Sequence, residues 1–370
     1  MNRPQSQPLY SSLYSTLRPL IQLDARRLLV LVALVLAVID RRTSVLNSLK
    51  THVHLPGSPE VRKQRLKRFM QCSLPDALLL HLVIPLLPPG DLELTLDRTN
   101  WKFGVSDINF LILGVYFRGI SLPLFWTLLP HSGNSTTAQR NALMDRFLAE
   151  FRVYRSTYRV VGMLADREFI GKAWFKFLRR KKIPICIRLK SNTRVNGKPI
   201  SARFGHIKPG QIRSQSAYRV SVYGVGVYLA VCVTSKGELL YLATALRVPQ
   251  CALEQYARRW GAECLHQALK GRGFHFEDTH LVHHERLSVL LSVLSIALIW
   301  CCLSGELHAQ EVEIKVLKHG RAEKSLFRHG LDVLQEAIKH CGDGALERFV
   351  ALFDPCLSWR TRLRQLEPAF

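Results

Sequence analysis

The stretch VVGMLAD at 160–166 decides the fold prediction, because an uncharged run of strand length ends abruptly in a carboxylate. Such a run is typical of a strand that is buried on both faces of a sheet. A helical pattern follows as far as Lys182, and a second apolar run covers 183–189. Strand, helix and strand in this order predict part of a mixed α/β sheet.

Three more strands and a helix are predicted before this stretch. Leucines alternate with polar residues over 92–97, which places Asp97 on the face opposite the leucines. Apolar runs follow at 108–117 and 120–129, and a helical pattern covers 136–151. Three strands, helix, strand, helix and strand is the order of a ribonuclease H-like sheet.

Pattern and composition divide the chain into four segments. Residues 1–88 are predicted to be an all-α, DNA-binding region that ends at a Pro-Pro-Gly turn. The α/β catalytic core covers 89–190 and 248–305, and a β-rich insertion covers 191–247. We expect 306–370 to be helical, and packing within the chain, dimerisation and contact with another protein are the alternatives for its role.

The net charge of +24 is confined to the first 250 residues. Residues 191–250 hold eight basic side chains and a single acid, Glu238, whereas 251–370 hold equal numbers of both signs. This excess indicates a polyanionic partner, and the 48% hydrophobic content excludes a disordered basic tail. Double-stranded DNA is the first expectation and an acidic membrane surface is the second.

A basic helix is predicted to begin at Ser58-Pro59, since serine is a common cap and proline a common first residue. We expect this helix to contact DNA in a helix-turn-helix arrangement, although such charge runs also occur on solvated faces. The candidate DNA-binding residues are Arg62, Lys63, Arg65, Lys67 and Arg68.

Several classes of protein are not favoured. Nine cysteines without a C-x-x-C pair indicate free thiols in a reducing compartment rather than disulfides or a zinc site. The apolar run at 28–39 is too short to span a bilayer, and the run at 287–303 carries serines along one helical face. The N-terminus lacks the pattern of a signal peptide. We therefore expect a cytoplasmic protein without a membrane partner.

A polar stripe runs along the helical pattern that we predict from Pro249 to about Gly271. Its members fall within an arc of roughly 60° at about 100° per residue; they are Tyr256, Arg259, Glu263 and Lys270. An ordinary i,i+4 ion pair on an amphipathic helix also explains Arg259 and Glu263.

Asp97 and Asp166 favour a catalytic interpretation of Glu263. A carboxylate at the end of an apolar strand is costly unless it is solvated, paired or bound to a metal. Phosphoryl transfer with two divalent ions needs carboxylates that converge on ions about 3.5–4 Å apart. Oxygen ligands favour two Mg²⁺ ions, with Mn²⁺ as a substitute. Weaker candidates, which also fit surface acids or ion-pair partners, are Asp91, Glu93 and Glu168.

Four motifs resemble those of DDE transposases of the insertion-sequence-4 family. They are LDRTNW at 96–101, HSGNS at 131–135, ADREFIG at 165–171, and Y-x2-R-x3-E-x6-K at 256–270. The likeness is strong over about 90–275. It implies a ribonuclease H-like core with a β-strand insertion, binding of terminal inverted repeats, and cut-and-paste cleavage and strand transfer by a homodimer. A bacterial protein associated with the nucleoid is implied as well.

The resemblance also implies a role for each matched residue. Asp97, Asp166 and Glu263 would be catalytic and would hold the metal ions. The residues that would grip the phosphate of a hairpin intermediate are Tyr256, Arg259 and Lys270.

One feature of well-known relatives is missing, namely a tryptophan in the insertion that stacks on a flipped base. Trp260 is a candidate replacement. Other aromatic candidates, each of which also fits a core position, are Tyr218, Tyr223, Tyr228 and Tyr241.

Two other functions stay open. A transposase-derived repressor would bind DNA without cleaving it, and a ribonuclease H-type nuclease would cleave without joining ends.

Overall fold

The computed structural model describes residues 7–204, 207, 211–214, 218–234, 237–318, 320, 322–339 and 347–354. The chain forms two compact units. The helical unit comprises Met1–Pro89, Trp101–Ile108 and Cys264–Phe370, and the sheet unit comprises Gly90–Asn100 and Asn109–Glu263.

Helices and strands are both abundant, so the prediction of a mixed α/β protein is confirmed. The α-helices are α1 (Gln7–Leu17), α2 (Ala25–Arg41), α3 (Leu46–Leu49), α4 (Pro59–Phe69), α5 (Leu78–Val83), α6 (Thr137–Phe151), α7 (Lys172–Arg180), α8 (Ser201–Phe204), α9 (Pro249–Ala257), α10 (Trp260–Leu269), α11 (His284–Glu311), α12 (Leu326–Lys339) and α13 (Glu347–Val350). The strands are β1 (Gly90–Phe103), β2 (Ser106–Phe117), β3 (Ile120–Leu128), β4 (Tyr158–Ala165), β5 (Ile185–Leu189), β6 (Arg194–Val195), β7 (Lys198–Pro199), β8 (Ile212–Ser214), β9 (Val220–Val222), β10 (Val225–Val233) and β11 (Leu239–Thr244). Short 3₁₀ helices cover Ile84–Leu86, Arg152–Tyr154, Phe276–Thr279 and Ala351–Phe353.

The helical unit is built around α2 and α11, whose apolar residues are buried. Asp24 caps α2 by accepting hydrogen bonds from two backbone N–H groups, and Ser58 caps α4 as the sequence predicts. Helices α11 and α12 approach so closely that a Cβ atom on Gly330 would lie 1.8 Å from the carbonyl oxygen of Cys301. Glycine is therefore required at this crossing.

Helix α11 is, among the described residues, the one helix whose length and composition would allow it to cross a membrane. Its most apolar window has a mean hydropathy of 2.4, and 94% of that window is buried inside the protein. The seven cysteines that the structure describes are free thiols, and Cys341 and Cys356 lie outside the described residues.

The sheet runs in the order β3-β2-β1-β4-β5-β11-β10-β9-β6-β7, with β8 paired to β10. The central strands β1, β4 and β5 are parallel, so their carboxyl ends meet at one edge. Strand β11 pairs antiparallel with β5. The β-rich stretch at 191–247 therefore continues the same sheet. The predicted domain boundaries and the ribonuclease H-like description stay predictions.

The prediction of one helix over 249–271 is wrong. Helix α9 ends at Ala257 and α10 begins at Trp260, with a tight turn at 258–259. In this turn the backbone N–H of Arg259 bonds to the carbonyl of Tyr256, three residues back. Gly261, two residues after Arg259, accounts for the break because it packs against a strand. A Cβ atom on Gly261 would lie 3.0 Å from the backbone of Ile120. The chain turns so that the first residues of α10 lie directly on a strand.

Candidate active site

Asp97 and Asp166 lie side by side where the parallel pairing of β1 with β4 ends. Leu96 pairs with Ala165 as the last pair of this ladder. Asp97 is the next residue of β1, which continues to Phe103, and Asp166 directly follows the last residue of β4. Each carboxylate accepts a hydrogen bond from the following backbone N–H, Arg98 N at 2.8 Å and Arg167 N at 2.7 Å. Sheet register alone therefore brings these acids together.

The Asp97 carboxyl is largely buried, with 14% of its side chain exposed. The pKa of Asp97 is raised to about 7, mainly by burial, and the nearby acids Glu263 and Glu168 contribute to this rise. The Arg259 guanidinium and the Arg98 backbone N–H act in the opposite direction without cancelling the effect of burial. A cation bound near this buried carboxyl group would therefore stabilise its ionised form.

The turn at 258–259 places Arg259 between two acids. Its Nη1 donates to Asp97 Oδ2 over 3.3 Å and to Glu263 Oε1 over 3.4 Å. Burial lowers the pKa of Arg259, but Tyr256 and the surrounding acids more than offset this and raise it. The guanidinium thus stays charged between the carboxylates.

Asp166 has a separate set of partners. The Tyr256 hydroxyl donates to Asp166 Oδ1 over 3.5 Å, and burial raises the pKa of Tyr256, so the phenol stays protonated at neutral pH. Arg188 lies 3.9 Å from the same oxygen and 3.6 Å from Glu238. No sequence pattern indicates Arg188, which follows Ile187, the β5 partner of Ala165.

The acids are suited to a divalent ion by their chemistry and spacing. Carboxylate oxygens of Asp97 and Glu263 lie within 4.8 Å of one another. Hard oxygen donors in a largely buried setting match the preference of Mg²⁺ and Mn²⁺. The structure connects Asp166 to this pair through Tyr256 and Arg259.

Lys270, the last residue of the four-residue motif, follows the end of α10 and belongs to the helical unit. Its ammonium lies 5.1 Å from the centre of the Trp101 ring in a cation–π contact. Burial lowers the pKa of Lys270, and Glu277 counteracts this in part. The four motif residues do not share one helix, because Tyr256 lies on α9, Arg259 in the turn at 258–259 and Glu263 on α10.

The weaker acidic candidates are all engaged by arginines of the sheet unit. Asp91 pairs with Arg159, and Glu168 pairs with Arg98 over 3.2 Å. Glu93 is 9% exposed and accepts a 2.7 Å hydrogen bond from Arg258. Their interpretation as ion-pair partners is confirmed.

The aromatic candidates differ in exposure. Trp260 is 58% exposed and Tyr218 is 80% exposed, so both offer a face to a base. Tyr241 is 4% exposed and belongs to the core, while Tyr223 and Tyr228 are half-buried.

The basic residues of α4 fall into two groups. Arg65 and Arg68 line a cavity of about 640 Å³ between α2 and α4, together with Arg26 and Arg27 of α2. The lining does not include the other three candidates, Arg62, Lys63 and Lys67. The sequence pattern did not indicate Arg26 and Arg27 as DNA-binding candidates, because they precede an apolar run and are not part of a longer run of basic residues.

Comparison with solved structures finds the piggyBac transposase synaptic complex with hairpin DNA, at 13% identity and a TM-score of 0.43. The match covers 87% of this chain and 68% of that one. No curated protein sequence matches.

One family model matches this chain. Residues 128–300, which include Asp166 and Glu263 and begin after Asp97, match the family described as the transposase DDE domain. DDE transposase domains use divalent metal ions, in agreement with the acidic cluster at Asp97 and Glu263. The match supports a DDE transposase, an enzyme of DNA transposition.

Proposed function

We propose that this chain is the cut-and-paste transposase of an insertion sequence. It would bind terminal inverted repeats, cleave the DNA at both ends and transfer the ends to target DNA. The observation that carries the proposal is the placement of three acids around Arg259, whose pKa is raised by Asp97, Asp166 and Glu263 alike. Asp97 and Asp166 follow paired residues of adjacent parallel strands, and a carboxylate oxygen of Glu263 lies within 4.8 Å of one on Asp97.

Asp97, Asp166 and Glu263 would hold two Mg²⁺ ions, with Mn²⁺ as a substitute. When bound, these ions supply activation of the nucleophile and charge neutralisation at the leaving oxygen. The raised pKa of the buried Asp97 carboxyl supports this role, because a cation offsets the cost of its buried charge.

The first proposed step is hydrolysis at the transposon end. A water oxygen attacks phosphorus, the bond to the 3′ oxygen breaks, and that oxygen takes up a proton to leave a 3′ hydroxyl. This hydroxyl then attacks phosphorus in the opposite strand, whose bond to the flanking DNA breaks, and a hairpin forms. A second water attacks the hairpin phosphorus, whose bond to the transposon 3′ oxygen breaks, and that oxygen takes up a proton to restore the 3′ hydroxyl. This hydroxyl finally attacks a phosphorus of target DNA, whose bond to the target's own 3′ oxygen breaks, and the leaving oxygen takes up a proton. The acids position the scissile phosphate in every step.

Tyr256, Arg259 and Lys270 would hold the hairpin phosphate. Arg259 donates to Asp97 and Glu263 in the metal-free protein. Once cations compensate these acids, its guanidinium has N–H groups to donate to a phosphate oxygen. Tyr256 keeps its proton and can donate in the same way.

The arginines around the α2–α4 cavity would follow the DNA backbone. Four guanidinium groups line its wall, and the excess charge of 1–250 supports a nucleic-acid partner. Pairing two transposon ends requires two copies of the active site, so we propose a homodimer in the synaptic complex. Its place of action would be the bacterial cytoplasm, at the nucleoid.

A plasmid that carries the reading frame with its native flanking DNA tests this function. We expect the purified protein to excise the element with Mg²⁺ and to link its labelled ends covalently to a second plasmid. Binding without cleavage would favour the repressor, and cleavage without joining would favour the nuclease. Either result would contradict the proposal.

A further inference from the structure

Glu93 is a buried acid of the sheet unit that no step above uses. It lies on β1 four residues before Asp97, so both side chains project from the same face of the strand. Its carboxylate accepts two hydrogen bonds through Oε1, from Arg258 Nη1 at 2.7 Å and from Gln255 Nε2 at 3.2 Å. A buried carboxylate with these partners is fixed in place.

The two donors flank the turn that positions the candidate active site. Gln255 lies in the last turn of α9, and Arg258 is the first residue of the turn that continues to Arg259. Gln255 also donates to the carbonyl oxygen of Val161 over 3.4 Å, which ties it to β4 as well as β1. Both contacts therefore anchor the end of α9 to the sheet.

Gly162 makes room for this arrangement. It pairs with Glu93 in the β1–β4 ladder, and a Cβ atom on Gly162 would lie 2.8 Å from Gln255 Nε2. The amide of Gln255 thus lies directly over the backbone of β4. A side chain at 162 would push Gln255 away from Glu93.

We propose that Glu93, Gln255 and Arg258 form a clamp that holds the 258–259 turn and so sets the positions of Arg259 and Glu263 relative to Asp97. They are positioning residues, since they act on the reaction through the turn. The inference rests on the proposed function for its effect on catalysis, whereas the clamp itself is a property of the metal-free fold.

Arg258→Met tests the clamp because it removes the charge and the hydrogen bonds but keeps an apolar stem. Arg159→Met is the control, since Arg159 forms an exposed ion pair with Asp91, which lies two residues before Glu93 on the same strand. Backbone amide exchange over 258–263 in the metal-free, full-length protein is the first measurement. We expect about tenfold faster exchange in Arg258→Met and no change in the control.

Mn²⁺ affinity and steady-state kinetics provide the readouts that link the clamp to the active site. Loss of a group that orients metal ligands typically costs about 10–100-fold in metal affinity or activity. We expect Mn²⁺ binding by Arg258→Met to weaken about tenfold and kcat to fall similarly, with KM for DNA unchanged. Arg258→Lys, which keeps a cation near Glu93, should recover part of both losses.

Equal amide exchange in wild type and Arg258→Met would overturn the clamp, as would equal acceleration in the Arg159→Met control. If Arg258→Met fails to fold, Glu93→Gln serves instead, because its amide oxygen still accepts but carries no charge. The exchange measurement needs neither metal nor DNA. A negative result there overturns the clamp alone, while cleavage retained by Asp97, Asp166 or Glu263 variants would overturn the proposed function.

Discussion

Arg259 donates a hydrogen bond to Asp97 over 3.3 Å, although 162 residues separate them along the chain. The same nitrogen donates to Glu263 over 3.4 Å. One guanidinium therefore compensates two acids in the metal-free protein, the largely buried Asp97 and the partly exposed Glu263. The free energy of unfolding should therefore depend on whether the Arg259 guanidinium or a bound metal ion compensates the two acids.

Arg259→Met should destabilise the metal-free protein by about 3 kcal/mol, because it leaves two close carboxylates without their shared cation. Saturating Mg²⁺ should restore much of this loss, since the ion neutralises the same acids. Urea denaturation with and without Mg²⁺ measures both values. Arg159→Met, which breaks an exposed pair, should cost less than about 1 kcal/mol under either condition. A loss in Arg259→Met that Mg²⁺ does not reduce would contradict this account.

Asp97→Asn should stabilise the metal-free protein at high pH. The pKa of Asp97 is raised from 3.8 to about 7, so between these values the folded protein holds a proton that the unfolded chain has released. Stability from this group is fully present below about pH 4 and is lost as the pH rises through about 7. Asparagine stays neutral, so the variant avoids that loss.

The difference in unfolding free energy between Asp97→Asn and wild type should therefore grow from about pH 4 to about pH 8. Thermal melts across this range, with a chelator present, provide the test. Asp91→Asn is the control, because Asp91 lies in an exposed pair with Arg159. If the difference in unfolding free energy between Asp97→Asn and wild type does not change with pH, burial does not raise the pKa of Asp97.

Gly261→Ala should disturb the site through packing alone. The added methyl group would lie 3.0 Å from the Ile120 backbone and 3.1 Å from Ser121 N, where little can move. We expect a loss of about 1–3 kcal/mol in the free energy of unfolding, and weaker Mn²⁺ binding because α10 carries Glu263. Gly271→Ala is the matched control, since its Cβ would meet only a carboxylate oxygen of Glu277 at 3.9 Å. Equal effects of the two changes would argue against the close contact.

The α2–α4 cavity can be tested with two variants of equal charge on one helix. Arg65→Gln/Arg68→Gln removes two groups that line the cavity, while Lys63→Gln/Lys67→Gln removes two that do not. Each lost phosphate contact lowers the slope of log K against log salt by about 1. Fluorescence anisotropy on duplex DNA should show a slope lower by about 2 for the arginine pair and a smaller change for the lysine pair. The reverse order would place the DNA elsewhere.

The strands that carry the two candidate aspartates could be predicted from the sequence because local patterns determine them. The apolar run at 160–165 ends in Asp166, and the alternation at 92–97 includes Asp97, so each pattern indicated one candidate residue. Register then made the acids neighbours. The N-terminal cap Ser58 is similarly local and lies where the sequence predicts.

The break between α9 and α10 could not be predicted, because its cause lies elsewhere in the chain. Helical periodicity continues through 258–259, and the turn arises where Gly261 contacts the backbone at Ile120. A glycine within a helical pattern can mark a close packing contact or can simply lie in the interior of a helix, and the sequence does not distinguish the two. Periodicity alone therefore placed Tyr256 on the same helix as Glu263, whereas Tyr256 lies on α9 and Glu263 on α10.

The partners of Glu93 and Asp166 were missed for the same reason. Arg258 is 165 residues from Glu93 in sequence, and Arg188 reaches Asp166 from a different strand. The sequence around a single arginine does not indicate which acidic side chain it pairs with. Only the sheet order, with β5 next to β4, could have indicated Arg188.

Excision from a plasmid that carries the reading frame with its native flanking DNA tests the central claim most directly. Wild type should release the element with Mg²⁺ or Mn²⁺, and chelation should abolish release. Asp97→Asn, Asp166→Asn and Glu263→Gln should each lower cleavage by at least about a thousandfold while leaving DNA binding intact. Cleavage near the wild-type rate in any one of the three would contradict the assignment of the acids as the catalytic centre.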